Sequence, residues 1–140
     1  MRFDLPTEKK WVHDIEVPVR WGDMDAMGHV NNTLYFRYLE IARIDWMHGL
    51  GETINPTGDG LVIINAFCNF LRQISYPATL RVRTYVGQVG RSSFDTWHEI
   101  AHAHAPDEVC ATGGATAVWA NMVTEKSAPL PDFVRAHLLA

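Results

Sequence analysis

The chain has 140 residues and a formal net charge of −4; 47% of its residues are hydrophobic and 20% are charged. This composition excludes a disordered chain, and the net charge excludes an overall basic surface that would attract nucleic acid or anionic membranes. The length predicts one domain over residues 1–140.

The beginning of the chain is charged and polar, without the apolar core of a signal peptide, and no stretch reaches the roughly 20 apolar residues of a membrane span. The two cysteines, Cys68 and Cys110, lie in apolar runs and are expected to be buried free thiols. We therefore expect a cytoplasmic protein that acts on neither nucleic acid nor membrane.

The first predicted strand runs from Trp11 to Trp21, where apolar and polar residues alternate and Trp11, His13 and Trp21 share the apolar face. A loop over residues 22–30 follows it. The chain's best helix then runs from Asn32 or Thr33 to His48, with cap residues before it and glycines after it. Its apolar residues cover more than one face, which predicts a helix enclosed by other structure.

Strand follows strand after the helix. The apolar, alternating runs lie at residues 61–74 (with a break near Asn65), 79–89, 93–103 and 109–123, with Gly113 and Gly114 as a predicted bend or bulge. A short helix is predicted over residues 132–139. Successive strands with short connections indicate an antiparallel sheet, and one apolar helix needs such a sheet to cover it. The predicted class is α+β.

The segment from Trp21 to Asn32 places two carboxylates, an imidazole and two amides just ahead of the helix N-terminus. A helix N-terminus offers unsatisfied N–H groups and a positive dipole end to developing negative charge. A carboxylate that attacks a carbonyl or activates water, next to such donors, is suited to acyl hydrolysis.

The sequence D-M-D-A-M-G-H-V-N-N at residues 23–32, then Tyr35, Tyr38 and E-I-A-R at residues 40–43, resembles the hotdog-fold acyl-CoA thioesterases of the 4-hydroxybenzoyl-CoA thioesterase group. G-R-S-S-F at residues 90–94 is similar to that group as well. The resemblance implies a curved antiparallel sheet wrapped around one long helix. It also implies an acyl-CoA substrate, no metal or other cofactor, and a homodimer or homotetramer whose active site lies at the subunit interface.

The resemblance also assigns roles within the motif. Asp25 is the implied catalytic carboxylate, as nucleophile or as base for a water, and Asn32 supplies the N–H that polarises the thioester carbonyl. Asp23 is expected to shape the loop. His29 is either a catalytic base or carbonyl ligand, or a residue of loop structure. Asn31 either binds substrate or water, or holds the loop.

Other residues have two interpretations each. Arg81, Arg83 and Arg91 are predicted to cluster near a strand end and the following turn. The resemblance implies that this group, above all Arg91 with Ser92, binds coenzyme A phosphates; alternatively, these are solvated residues of the outer sheet face. Aromatic side chains line an acyl tunnel or pack in the core: Tyr35, Tyr38, Phe67 and Phe70. His98, His102 and His104 recur on one predicted strand, but neighbours about 7 Å apart are too far separated to chelate a metal.

Two other classes of function stay open from the sequence. One is a noncatalytic or dehydratase-type hotdog protein that binds acyl thioesters, and the other is an interaction protein in which the D-x-D segment is merely a turn. The sequence also leaves open the acyl group and the carrier, either coenzyme A or acyl carrier protein.

Overall fold

The structure, a computed structural model, describes residues 1, 3–51 and 58–140. The elements of this part of the chain are β1 (Lys10–Pro18), a 3-10 turn (Trp21–Asp23), α1 (Asn32–Gly49), β2 (Asp59–Phe70), β3 (Thr79–Gly87), β4 (Ser93–His102), β5 (Val109–Asn121) and α2 (Asp132–Leu139). The strands form one antiparallel sheet in the order β1-β3-β4-β5-β2. The curved sheet packs around α1, which confirms the predicted α+β class.

α1 begins and ends close to its predicted limits, and most of its apolar side chains are buried. Asn31 caps its first turn by accepting a hydrogen bond from the Thr33 N–H at 3.0 Å. The buried side chains of α1 are Tyr35, Tyr38, Leu39, Ala42, Trp46 and Met47. They divide between two apolar clusters, one near the start of the helix and one near its end, where α2 completes the packing. The prediction that other structure encloses the helix is therefore confirmed for the face of α1 that packs against the sheet.

β1 departs from its predicted alternation. The pairing of β1 with β3 shifts register between Trp11 and His13, so that Trp11 pairs with Tyr85 and His13 with Thr84. Because adjacent residues of a strand point to opposite faces, the bulge moves Trp11 to the outer face of the sheet. Trp21 lies beyond the strand and is 78% exposed. The prediction that both tryptophans share the apolar face is wrong.

Gly113 and Gly114 serve close packing, and the predicted bulge is wrong. The register of β5 with both of its neighbours is continuous through the two glycines. A Cβ at Gly113 would lie 2.6 Å from Leu39 Cδ1, and one at Gly114 would lie 2.6 Å from Phe67 Cε1. The missing side chains therefore let α1 approach one face of the sheet and an aromatic ring approach the other.

β2 contains the predicted break as a register shift between Ile63 and Asn65. The strand ends at Phe70 and not at residue 74, and the chain turns back toward the loop before α1. The Val30 N–H donates to the Ile74 carbonyl at 2.8 Å there. Among the described residues, no helix combines the length and apolar character needed to cross a bilayer.

Candidate active site

Asp23 organises the loop that precedes α1. Its Oδ2 accepts hydrogen bonds from the Arg20 N–H at 3.0 Å and from the Tyr38 hydroxyl at 2.8 Å. Its carbonyl accepts from the Asn31 N–H at 2.9 Å. Burial, followed by the hydrogen bond to Asp23, raises the pKa of Tyr38 and keeps its hydroxyl protonated. Asp23 therefore shapes the loop, as predicted.

Asp25 sits in a tight turn made by its sequence neighbours. Its Oδ1 accepts from the Met27 N–H at 2.9 Å and from the His29 N–H at 3.3 Å. Its own N–H donates to the His29 carbonyl at 2.8 Å, and Gly28 adopts a φ of 79°, which favours glycine. Among the described residues, Oδ2 of Asp25 has no hydrogen-bond donor. One carboxylate oxygen thus anchors the turn and the other is available for chemistry.

The first backbone N–H of α1, that of Asn32, is also available as a hydrogen-bond donor to a substrate. The Asn31 side chain is occupied as a cap, since its Oδ1 accepts from both the N–H and the hydroxyl of Thr33. The Asn32 N–H has no acceptor within the part of the chain that the structure describes, as expected for the first residue of a helix. Asn32 therefore offers a donor at the positive end of α1, whereas the Asn31 side chain stabilises the helix.

An open cavity of about 400 Å³ brings these groups together. Its lining residues are Asp25, Met27, His29, Val30, Asn32, Tyr35, Phe70, Leu71, Arg72 and Gln73. The structure thus places the three residues predicted to be catalytic around one space, together with the predicted substrate contact Tyr35.

Tyr35 and Phe70 form an apolar wall of this cavity. Their rings meet edge to face with centroids 4.9 Å apart, and Tyr35 is 3% exposed. Burial raises the pKa of Tyr35, with smaller contributions from Cys110, Cys68 and Asp25. Burial also raises the pKa of Cys68 to about 12, so this thiol is not a nucleophile at neutral pH. The wall suits an apolar acyl group.

Sequence reasoning missed Leu71, Arg72 and Gln73, which line the cavity from the loop after β2. The Leu71 and Arg72 N–H groups both donate to the Cys110 carbonyl, and this contact turns the chain out of the strand. The polar pair Arg72-Gln73 at the end of an apolar run was the available signal for this loop.

Arg91 and Ser92 lie elsewhere in the chain. They belong to the turn after β3, where the Arg91 carbonyl accepts from the Arg135 side chain at 2.9 Å and the Ser92 carbonyl accepts from the Trp119 N–H at 2.7 Å. The loop that holds Asp25 contacts the opposite end of β3, since the Val19 N–H donates to the Ala78 carbonyl. Within one chain, the structure does not bring these two residues to the cavity.

The predicted group of arginines is also divided. Arg81 pairs with Asp14, and the Arg83 guanidinium lies 5.7 Å from the Trp11 ring centroid. Both lie within β3 on the outer face, while Arg91 lies past the end of that strand. The prediction of one cluster is wrong because the length of β3 separates its members.

The three histidines that were predicted to lie on one strand, His98, His102 and His104, do not share a strand. β4 ends at His102, and His104 lies in the following turn with its ring stacked on His102 at 5.3 Å. His98 is fully buried on the inner face, where its Nδ1 lies 3.1 Å from the Thr84 hydroxyl. No group of three potential metal ligands occurs among the described residues. A site without metal stays a prediction.

Comparison with known proteins assigns the chain to a family. Residues 19–138 match the model of the thioesterase-like superfamily. The PA2801 protein of Pseudomonas aeruginosa, a thioesterase candidate, is 38% identical; the match covers 91% of this chain and 98% of that one, with a TM-score of 0.85. A candidate acyl-CoA thioesterase from Xanthomonas campestris is 30% identical over 86% of this chain and all (100%) of that one, with a TM-score of 0.77.

A curated relative, the YsmA protein of Bacillus subtilis, is 29% identical over 89% of this chain and 83% of its own length. The BH1999 protein, a gentisyl-coenzyme A thioesterase, is 25% identical over 90% of this chain and 99% of that one, with a TM-score of 0.80. The match to the family model spans the candidate site and strands β2 to β5. The chain belongs to the thioesterase-like superfamily and is a thioester hydrolase with the hotdog fold.

Proposed function

We propose that the chain hydrolyses an acyl-CoA thioester to a free acid and coenzyme A at the cavity around Asp25. The observation that carries this proposal is the shared cavity: the free Oδ2 of Asp25 and the unpaired Asn32 N–H belong to residues that line the same space. A nucleophile or base next to a preformed donor for the carbonyl oxygen is the minimum that acyl transfer needs.

Two routes fit this geometry, and both use the Asn32 N–H to hold the carbonyl oxygen as it becomes negative. In the first, Asp25 Oδ2 attacks the carbonyl carbon, the C–S bond breaks and the thiolate leaves, so that water then hydrolyses the mixed anhydride. In the second, Asp25 takes a proton from a water molecule whose oxygen attacks the carbonyl carbon. The C–S bond of the resulting tetrahedral intermediate then breaks, and the thiolate leaves and takes up the proton. Neither route needs a metal or an organic cofactor.

His29 and Arg72 complete the proposed site. The His29 side chain lines the cavity, and we assign it to the carbonyl end of the substrate, while its N–H helps to hold Asp25. Arg72 also lines the cavity, with 61% of its side chain exposed and its Nη1 3.7 Å from Glu108 Oε2. We assign it to coenzyme A phosphate, which would replace this exposed ion pair. Coenzyme A as the carrier is supported by the similarity to the Xanthomonas acyl-CoA thioesterase candidate and to the gentisyl-coenzyme A thioesterase BH1999.

The proposed assembly is a homodimer that extends the sheet through β2. β2 is an edge strand, and its apolar residues are exposed, Ile64 at 61% and Phe70 at 47%. An uncovered apolar edge strand invites pairing with another chain, and a second copy supplies the same surface by symmetry. Because Phe70 also lines the Asp25 cavity, a partner at this edge would lie next to the site.

The proposal is tested with purified protein and a panel of short, long and aromatic acyl-CoA thioesters, with a thiol reagent to measure released coenzyme A. We expect turnover that Asp25→Asn abolishes and that Asp107→Asn, an exposed aspartate of the turn after β4, leaves unchanged. Equal turnover by the Asp25→Asn protein, with its fold checked by circular dichroism, would refute the mechanism.

Rapid quenching separates the two routes. If Asp25 is the nucleophile, thiol appears in a burst before free acid in a single turnover, because the acyl group stays on the enzyme. If Asp25 is the base, thiol and acid appear together.

A further inference from the structure

A second cavity, of about 310 Å³, lies between the later half of α1 and strands β2, β4 and β5. It shares no lining residue with the cavity around Asp25. Its apolar walls come from Trp46, Met47, Leu61, Ile63, Phe94 and Ala117. The mechanism proposed above does not use this space.

Arg43 lines this cavity and is half-buried. Its Nη1 is buried and has no hydrogen-bond partner among the described residues. Glu40, one turn before Arg43 on α1, lies 3.4 Å from Arg37 Nε and is more than half exposed. Burial lowers the pKa of Arg43, and the charge of Glu40 offsets this only in part. A buried guanidinium without an acceptor is costly, because desolvation of its charge is not compensated by a partner.

Among the described residues that line this cavity, Arg43 carries a positive charge, and Glu40 carries a negative charge on a side chain that is more than half exposed. His98 is wholly buried on the sheet face below, and burial, followed by the charge of Arg43, lowers its pKa to about 3, so it is neutral at pH 7. His48 also lines the cavity, and the Thr96 hydroxyl in its wall donates to the Ala115 carbonyl at 3.3 Å. The buried Arg43 Nη1 between apolar walls therefore favours an apolar ligand that ends in an anion.

Both cavities are lined by residues of α1 and β2. Asn32, Phe36 and Arg43 recur at four- and seven-residue spacing, so they follow one side of α1. β2 follows the same path, because Phe70 lines the first cavity and Ile63 lines the second. From Asn32 to Arg43 the helix rises about 16 Å, at 1.5 Å per residue.

We propose that this second cavity binds the far end of the acyl group and that Arg43 pairs with a terminal carboxylate there. The substrate class is then a long-chain dicarboxylic acid that is joined to coenzyme A at one end. This inference rests on the proposed function, since it takes the thioester carbonyl to lie at Asn32. Arg43 is the specificity-determining residue: it offers a planar, bidentate donor to a carboxylate at a fixed distance from the site of hydrolysis.

The experiment compares matched pairs of acyl-CoA thioesters over a series of chain lengths, one member ending in a methyl group and the other in a carboxylate. For the wild-type protein we expect a higher kcat/KM for the carboxylate member among the long chains but not among the short ones. In Arg43→Met, KM for the long carboxylate members should rise by about ten- to a hundredfold, which is the size of a lost charged hydrogen bond. The methyl members should change by less than about threefold, and Arg43→Lys should retain part of the preference.

Arg37→Met is the matched control, since it removes an exposed arginine from another side of the same helix. Arg43→Met should fold at least as stably as the wild type, because it removes an unpaired buried charge. Three results would overturn the inference: no carboxylate preference in the wild type, equal losses for both members of a pair, or a change of oligomeric state in Arg43→Met by size-exclusion chromatography.

Binding of non-hydrolysable thioether analogues of the same pairs, measured by calorimetry, tests Arg43 separately from turnover. If the protein does not hydrolyse the thioesters but still prefers the carboxylate analogue, and this preference depends on Arg43, then the proposed function is refuted and the role of Arg43 is not. Hydrolysis without that preference would refute the role of Arg43 alone.

Discussion

The hydroxyl of Tyr38 on α1 lies 2.8 Å from Oδ2 of Asp23 and joins the buried face of the helix to the loop that carries Asp25. The same oxygen also caps the 3-10 turn through the Arg20 N–H. One carboxylate oxygen therefore couples helix packing to the position of the candidate site.

The first prediction concerns this bond. Tyr38→Phe should lower the free energy of unfolding by roughly 1.5–3 kcal/mol, as expected for a hydrogen bond to a charged group. It should also lower kcat, because the loop loses its tie to α1, and urea titration with steady-state kinetics checks both effects. Tyr76→Phe, which alters a tyrosine that is 47% exposed, is the control. Unchanged unfolding in Tyr38→Phe would contradict the proposed coupling.

The second prediction isolates the Asn32 N–H. Asn32→Pro removes that donor at the first helical position, where proline is compatible with the helix. Asn31, with φ −58° and ψ 132°, already has the extended backbone that precedes a proline. We expect kcat to fall by about a hundred- to a thousandfold, the usual effect of losing one donor to the carbonyl oxygen.

Asn32→Ala is the control for that experiment, because it removes the side chain and keeps the N–H. It should retain activity within about tenfold if the backbone donor is the active group. Equal losses in both variants would assign the role to the Asn32 side chain, and no loss in Asn32→Pro would remove this donor from the mechanism.

The third prediction concerns assembly at the β2 edge. Ile64→Glu should convert the dimer to a monomer, because a charge on an edge strand opposes strand pairing. Sedimentation velocity measures the mass, and turnover should fall with it since Phe70 of the same strand lines the site. Leu139→Glu, at an exposed position on α2, should leave both unchanged. A monomeric wild-type protein would contradict the assembly.

The fourth prediction is a pH dependence of stability due to His98. The pKa of His98 is lowered to about 3 in the folded chain, below the ordinary value of 6.5, so the unfolded chain binds this proton first. Its contribution to stability is therefore complete above pH 6.5 and decreases as the pH falls from 6.5 toward 3. Between pH 6.5 and pH 5 the loss should be roughly 2 kcal/mol.

His98→Asn should remove this part of the pH slope, whatever it does to stability at neutral pH, and urea unfolding at several pH values checks it. His104→Asn, at an exposed position, should keep the wild-type slope. A slope that is identical in the wild type and His98→Asn would show that His98 takes up its proton in the folded chain.

The elements that were predicted correctly depend on local signals. α1 has cap residues at its start and glycines at its end, and the D-x-D turn is closed by bonds among residues 25–29, so the sequence alone located Asp25 and Asn32. The break in β2 near Asn65 was predicted in the same way, from an interruption in an apolar run.

The elements that were missed depend on partners far away in the sequence. Trp11 changes face because β1 pairs with β3 through a bulge. The alternation of residues within β1 alone does not predict that change of register. The loop at residues 71–75 leaves the sheet through bonds to Cys110, and Arg91 is held by α2. Only the folded chain shows which residues these contacts bring to the site.

The turn around Asp25 has an energetic consequence. Two backbone N–H groups of neighbouring residues restrict rotation of this carboxylate. If Asp25 acts as proposed, little side-chain entropy is lost when a thioester arrives, and less of the activation barrier arises from ordering the reacting group. A rigid transition-state mimic should then bind with little loss of affinity to ordering of this side chain.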